Sequence, residues 1–488
     1  MMFRKMIVVG CVAFLFRLAF IFWGLTNWHV VPENTMSSLY FCEGYGICAG
    51  YGYVSEGWKE NPFKTLRELK ARVEGGLHVT PETAPKVDDR QYFAEMAHPP
   101  GMALLIAAIH WATGASATLY FEIMGMLLDT AAACLFFWMV WEFFSKRVAF
   151  TAGLVYALYP PLAFSSTLHR LPEGIMSIFI VASLVFVLRS SRSPGGKAAW
   201  WWILAGTMIG MSAYLRPDYF FVPVAYGFGL LLYTRRFWRS AFAAAVMQAV
   251  VITLLLPWAY RNHQLCGRWI FTSTSVGWTL IGGLGEYHNP WGFVGIDEYI
   301  AQQAYKQGFY APESPEADLY FRSLFWESIR GKPWGYVTSI IKRLPMAILA
   351  PQATGFANPY KTVHFRDSLE QGQDRYQVVL SKPFYIIKAY WEYLLMAAIS
   401  VASLVCSLVM LIVERRRFGL VFLLLSPHLY AIGVHVLTHY EPRFVLPSMF
   451  SFLLGLAYVL SRGWRDRETP SAARQQRPNG GPALVAAG

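Results

Sequence analysis

Ten stretches of the chain run apolar with hardly a charge: Met6 to Leu25, Thr118 to Phe144, Val148 to Ser165, Gly174 to Leu188, Ala199 to Tyr214, Tyr219 to Tyr233, Ala241 to Leu256, Trp391 to Val413, Phe418 to Leu437 and Phe444 to Leu460. Each is close to the roughly 20 residues that carry a helix across about 30 Å of hydrocarbon. Runs of that length with so few charges say that the solvent around them is lipid. The pattern predicts an all-α integral membrane protein with about ten transmembrane helices. A shorter apolar run, Gly101 to Thr113, would invert every later loop if it spanned. It is read as a helix lying at the interface.

Charge then orients the bundle. The basic clusters Arg4-Lys5, Lys146-Arg147, Arg189 to Lys197, Arg235-Arg236 with Arg239, Arg415 to Arg417, and Arg462 with Arg465 and Arg467 all fall on one side of a ten-span map. Basic loops stay cytoplasmic, so both termini are expected inside, and much of the formal net charge of +12 reflects orientation. No basic patch with interleaved aromatics argues for nucleic acid. Met6 to Leu25 carries Arg17 and has no small-x-small cleavage site, which predicts an uncleaved anchor. The map leaves a membrane domain over 1–460, long outer loops at 26–117 and 257–390, and a disordered cytoplasmic tail over 461–488. Within the second loop, Asp297 to Tyr310 and Glu316 to Gly331 read as amphipathic helices and Val337 to Ala350 as an interfacial one.

Composition agrees, at 55% hydrophobic, 16% aromatic and 15% charged. Glu122 and Asp129 lie seven residues apart on one helical face, where a structural pair with Arg17 or another buried cation is the preferred account and a substrate pathway the other. Cys-x-x-Cys spacing is missing from the sequence. No metal site is assigned and no cofactor established, though a divalent cation is compatible with the outer-loop acids. Cys42, Cys48 and Cys266 face the outer side, and no disulfide is assigned among them.

The candidate chemistry lies where apolar runs end. Arginine recurs at such points with aromatic or acidic neighbours: Arg443 in Thr438-His-Tyr-Glu-Pro-Arg443, Arg261 in Pro257-Trp-Ala-Tyr-Arg-Asn262, Arg170 in Leu168-His-Arg-Leu-Pro-Glu173, and Arg216 in Leu215-Arg-Pro217. All fall on the outer side of the map. A guanidinium at an interface either snorkels to head groups or binds an anion, and several on one face would make a phosphate site. Tyr440, and His98 before Pro99-Pro100, are first contacts for the same ligand.

In order, His98-Pro-Pro-Gly101, Leu215-Arg-Pro217, the Pro257-Trp-x-x-Arg-Asn262 exit and the late Arg443-Phe-x-x-Pro447, set between two long loops, resemble the polyprenyl-phosphate-dependent glycosyltransferases of the GT-C fold. The chain up to Leu460 looks most like bacterial glycosyltransferase family 39, within the protein mannosyltransferase superfamily, and the lipid A aminoarabinose transferases. Tyr40 to Tyr53 is similar to the family's segment after its catalytic Asp. Here Met36 stands where that Asp is expected, so Glu33 or Glu43 must supply the base, with Asp88, Asp89 and Glu95 behind them.

The resemblance implies inverting transfer of a hexose or pentose from a polyprenyl phosphate, such as undecaprenyl phosphate, to a glycan, lipid or protein acceptor during cell-envelope glycosylation. It implies a multi-pass protein of the bacterial inner membrane with its site on the periplasmic side. One carboxylate with several arginines suits a donor that already carries a good leaving group, whereas hydrolysis of a glycosidic bond needs two carboxylates. Two alternatives stay open: a transporter or flippase of an anionic lipid-linked sugar, and a polymerase or ligase using a polyprenyl diphosphate.

Overall fold

The computed structural model describes residues 1–26, 35–56, 64–84, 92–349 and 383–463. Glu33, Asp88, Asp89 and the tail after Gly463 lie outside the described residues.

All ten apolar runs are helical. They correspond to α1 (Met2–Thr26), α5 (Ala117–Phe143), α6 (Lys146–Ala157) with α7 (Pro160–Thr167), α8 (Pro172–Arg192), α9 (Gly195–Leu215), α10 (Val222–Thr234), α11 (Phe237–Cys266), α16 (Pro383–Val413), α17 (Phe418–Leu437) and α18 (Phe450–Gly463). The loops add α2 (Thr35–Cys48), α3 (Lys64–Glu74), α4 (Gly101–Thr113), α12 (Val276–Gly285), α13 (Asp297–Lys306), α14 (Pro315–Gly331) and α15 (Pro333–Leu349). Helices thus stand at Gly101–Thr113, Asp297–Lys306, Pro315–Gly331 and Pro333–Leu349, where the interfacial and amphipathic segments are expected from sequence.

Among the described residues, six helices are long and apolar enough to cross a membrane, or seven if α6 and α7 count as one span bent by 50°. The estimate of ten includes helices that fall short of that test, and proline explains two of them. Pro217 and Pro442 turn the starts of two runs into 3-10 segments, Pro217–Tyr219 and Pro442–Ser448, leaving helices of 13 and 14 residues. The α6/α7 bend has the same cause, because Tyr159 before Pro160-Pro161 adopts extended backbone.

Inside the bundle, Arg17 on α1 has no solvent exposure and meets Asp129 on α5 at 2.6 Å. Tyr156 donates to the same carboxylate at 2.5 Å, and Arg17 also donates to the Ala157 carbonyl at 2.9 Å. This cross-link ties α1, α5 and α6 together, the structural role preferred for Asp129. Glu122 pairs with Arg170 at 2.6 Å.

The second long loop has its own small core, Ile281, Leu284, Ile300, Ala304, Ala317, Phe321 and Phe325. The buried Arg343 on α15 fastens it to the bundle, donating to Glu286 at 2.9 Å, to Gly283 O, and to Val436 O of α17 at 2.9 Å. The second loop is thereby held against the end of α17.

Candidate active site

The first loop is shaped by a short antiparallel pair, β1 (Val54–Glu56) with β2 (Tyr92–Ala94), in register Val54 to Ala94. The ladder continues as Glu95 N–H donates to Tyr53 O at 3.2 Å. Arg261, in the last turns of α11, ties the adjoining strand ends together by donating to Tyr53 O at 2.8 Å and Glu95 O at 2.7 Å. The Glu95 carboxylate accepts from the backbone of Ala97 at 2.6 Å and His98 at 3.0 Å, which folds the turn that precedes Pro99-Pro100. Gly101 then opens α4 against the Tyr214 carbonyl, where any Cβ would collide. Two motifs far apart in sequence, His-Pro-Pro-Gly and Leu-Arg-Pro, thus meet through one glycine.

Behind His98 lies an acidic group. One ligand atom each from Glu43, Glu95 and His98 fall within 4.8 Å of one another, with both carboxylates buried. Neither Glu43 oxygen accepts a well-formed hydrogen bond among the described residues. Burial first, then the nearby Glu95 charge, pushes the Glu43 carboxyl well above its ordinary range. Burial would push Glu95 up as well, but the hydrogen bond and charge of His98 outweigh it and hold Glu95 low. Burial opposes a charge on His98, and Glu95 overcomes it, raising the imidazole to about 9. Glu313, from the second loop, is pushed by burial to about 7.

The facing wall is cationic and paired. Arg216 binds Glu173 and Asp218, the latter at 2.8 Å, with its guanidinium 4.0 Å from the Phe444 ring. Arg443 binds Glu441 at 2.6 Å and approaches Glu173 at 3.6 Å. Burial would raise Glu441, but Arg443 and then His439 hold it far below the carboxylate range. His439 also pairs with Glu286, which helps bring its imidazole to about 10 against the effect of burial. Between the walls is a cavity of about 200 Å³ lined by Tyr40, His98, Glu173, Arg216, Asp218, Trp278, Asp297, Glu313, Glu441 and Arg443, among others.

Of the residues expected from sequence, His98, Arg216 and Arg443 line this cavity, and Glu43 lies directly behind His98. Arg261 spends its guanidinium on backbone carbonyls, and Arg170 on Glu122. Tyr440 is buried, its backbone N–H donating to Glu286 at 2.8 Å. Glu95 ranked behind Glu33 and Glu43, although its place three residues before His98 was a usable signal. Asp218 and Glu313 escaped notice: Asp218 directly follows Leu215-Arg-Pro217, whereas Glu313 stands in an unpatterned Ala-Pro-Glu-Ser loop.

A divalent cation fits Glu43, Glu95 and His98, a mixed oxygen and nitrogen donor set. Both Glu43 oxygens and Glu95 Oε2 are buried with no hydrogen bond of good geometry among the described residues, and His98 Nδ1 faces Glu95 Oε1 at 3.4 Å.

No family model and no curated protein matches the chain. Among solved structures it is similar to the Archaeoglobus fulgidus oligosaccharyltransferase in the apo form, with a TM-score of 0.50 and 13% identity over 94% of this chain and 50% of that one. It also matches archaeal oligosaccharyltransferase AglB from A. fulgidus in complex with an inhibitory peptide and a dolichol-phosphate, with a TM-score of 0.49 and 12% identity over 93% of this chain and 50% of that one. A third match, the A. fulgidus enzyme in complex with Zn and sulfate, has a TM-score of 0.48 and 12% identity over 93% of this chain and 49% of that one. The chain spans about half the length of these neighbours. Identity this low speaks for fold alone, and the fold it speaks for is the all-helical GT-C type of membrane protein.

Proposed function

We propose that this protein transfers a sugar, with inversion, from a polyprenyl-phosphate carrier to a glycan, lipid or protein acceptor at the outer face of the membrane. One observation carries the reading: a single cavity at a helix-bundle end has arginines on one wall and a buried, under-satisfied carboxylate behind the other. The oligosaccharyltransferase-like fold supports it, and the basic clusters at the opposite helix ends are the reason for reading the cavity as outward-facing.

The chemistry asks for two things. As the acceptor heteroatom bonds to the anomeric carbon, the bond from that carbon to the phosphate oxygen breaks and its electron pair leaves with the phosphate. Arg216 and Arg443 are aimed by Glu173, Asp218 and Glu441 to receive that charge, and protonated His98 adds a donor. The acceptor's proton goes to Glu43, whose raised affinity for protons suits a general base. Arg261 acts as a positioning residue by holding the backbone of Tyr53 and Glu95 at the strand ends. A divalent cation held by Glu43, Glu95 and His98 would supply further positive charge toward the phosphate.

The test is release of free polyprenyl phosphate from candidate carrier-linked sugars by the purified protein in lipid. Release by the wild type, lost in Glu43→Gln and Arg443→Ala with folding intact, is the expected result. Carrier-dependent flux across liposomes without release would replace the transferase by a transporter. Turnover of polyprenyl-diphosphate donors alone would replace it by a polymerase or ligase.

A further inference from the structure

We infer a second anion site, at the other end of the bundle, that holds the head group of one acidic phospholipid. Arg192, Arg235, Arg415, Arg416 and Arg417 surround a cleft of about 580 Å³, floored by Phe143, Leu231, Leu232, Phe418 and Leu420. Helices α8 and α17 each have one end at the cavity described above and the other at this cleft. At 21 and 20 residues they separate the two by roughly 30 Å, the thickness of a bilayer core. The cleft therefore stands at head-group depth in the opposite leaflet.

Arginines near span ends often do no more than set topology, which needs charge but no convergence. Here they converge. Arg192 leans on the Phe143 ring at 3.9 Å and touches Glu142 at 3.5 Å, while Arg417 donates to Phe143 O at 2.6 Å. The side chains of Arg235, Arg415 and Arg416 have no ion pair or hydrogen bond among the described residues. Arg235 caps α10 in the left-handed region, with φ of 56°, and Gly419 lets α17 press onto the Leu232 carbonyl where a Cβ would clash. That close approach brings Arg235 and Arg415–Arg417 to one mouth. Three unpaired guanidinium forks match a phosphodiester better than a point charge.

The apolar half of the ligand has its own track. From the cleft, Phe418, Phe422 and Phe228 form a ladder, with ring centroids 6.0 and 5.6 Å apart, and Phe418 and Phe228 are exposed. The ladder runs away from the arginines along α17 and α10, the path of an acyl chain whose phosphate sits in the cleft. A soluble polyanion would have no use for it, so the occupant is an amphiphile carrying negative charge.

The experiment compares full-length protein in phosphatidylcholine vesicles with and without phosphatidylglycerol, reading lipid retained through detergent extraction by native mass spectrometry. Wild type should keep one phosphatidylglycerol. The triple variant Arg235→Gln, Arg415→Gln, Arg416→Gln should keep about tenfold less, whereas Arg236→Gln, outside the cleft, should match wild type. If the triple variant does not fold, Phe228→Ala with Phe422→Ala takes its place and should lower retention by weakening the chain track alone. Equal retention by wild type and variant overturns the proposal. So does inorganic pyrophosphate displacing the lipid and stabilising the protein as strongly, which would make the cleft a soluble-anion site.

Discussion

Two groups of arginine–carboxylate pairs in this molecule use the same residue types to different ends. Arg17 and Asp129 are both fully buried in the bundle, and the carboxylate is completed by Tyr156. Arg216 and Arg443 are likewise held by Glu173, Asp218 and Glu441, yet they border a cavity and keep part of their guanidinium surface open to it. A closed pair can only hold helices together. A pair at a cavity wall has its geometry fixed in advance and can still bind an incoming anion, which is what a departing phosphate needs. Pairing alone therefore does not separate structural from functional charge; access does.

The largest effect expected from this contrast falls on the acid outside both groups. Glu43→Gln removes the proposed proton acceptor while preserving shape, and transfer should drop by about 10²–10⁴ with little change in thermal unfolding. The amide keeps the shape of a buried side chain that no hydrogen bond of good geometry holds among the described residues, so the fold should not weaken. Full activity in Glu43→Gln would return the role of base to Glu33 or Glu95.

Asp129→Ala tests the closed pair. It strands Arg17 at a site without solvent, so stability should fall by about 3–5 kcal/mol, read from thermal unfolding in lipid, while the fraction that stays folded keeps its specific activity. Arg443→Ala tests the open group in the opposite sense. Carrier release should fall by about 10²–10³ with nearly unchanged unfolding, because Glu441 remains beside His439 and close to solvent. The comparison breaks if Arg443→Ala unfolds as readily as Asp129→Ala.

Much of this was legible from sequence, and the limits have physical causes. Hydropathy located the helices of the ten apolar runs because lipid imposes a long apolar run whatever the neighbours are. The Pro217 and Pro442 interruptions shortened two of them in a way that run length alone does not reveal. Arg216 and Arg443 stood out because proline beside arginine marks a helix end. Arg261 looked the same, but sequence shows that a guanidinium reaches an interface and not what its fork grips. Glu313 was invisible for a different reason: only the packing of α12 to α14 brings that loop to the cavity, and no local pattern encodes such a contact.

His98 offers the smallest effect and the sharpest test of the acidic wall. Its imidazole is raised from 6.5 to about 9, burial notwithstanding, by Glu95. The folded protein therefore holds this proton more tightly than the unfolded chain. The stability it contributes is fully present below pH 6.5 and disappears as pH rises toward about 9. The gap in unfolding temperature between wild type and His98→Gln should be widest below pH 6.5 and close as pH approaches 9. A gap that ignores pH would mean that Glu95 does not hold the ring charged. Repeating the series with added Zn²⁺ or Mn²⁺ asks whether the same atoms take a cation. A metal needs the neutral ring and must expel the proton, so binding would strengthen with pH and keep the gap open at the alkaline end. The proton and the metal thus predict opposite slopes at one residue.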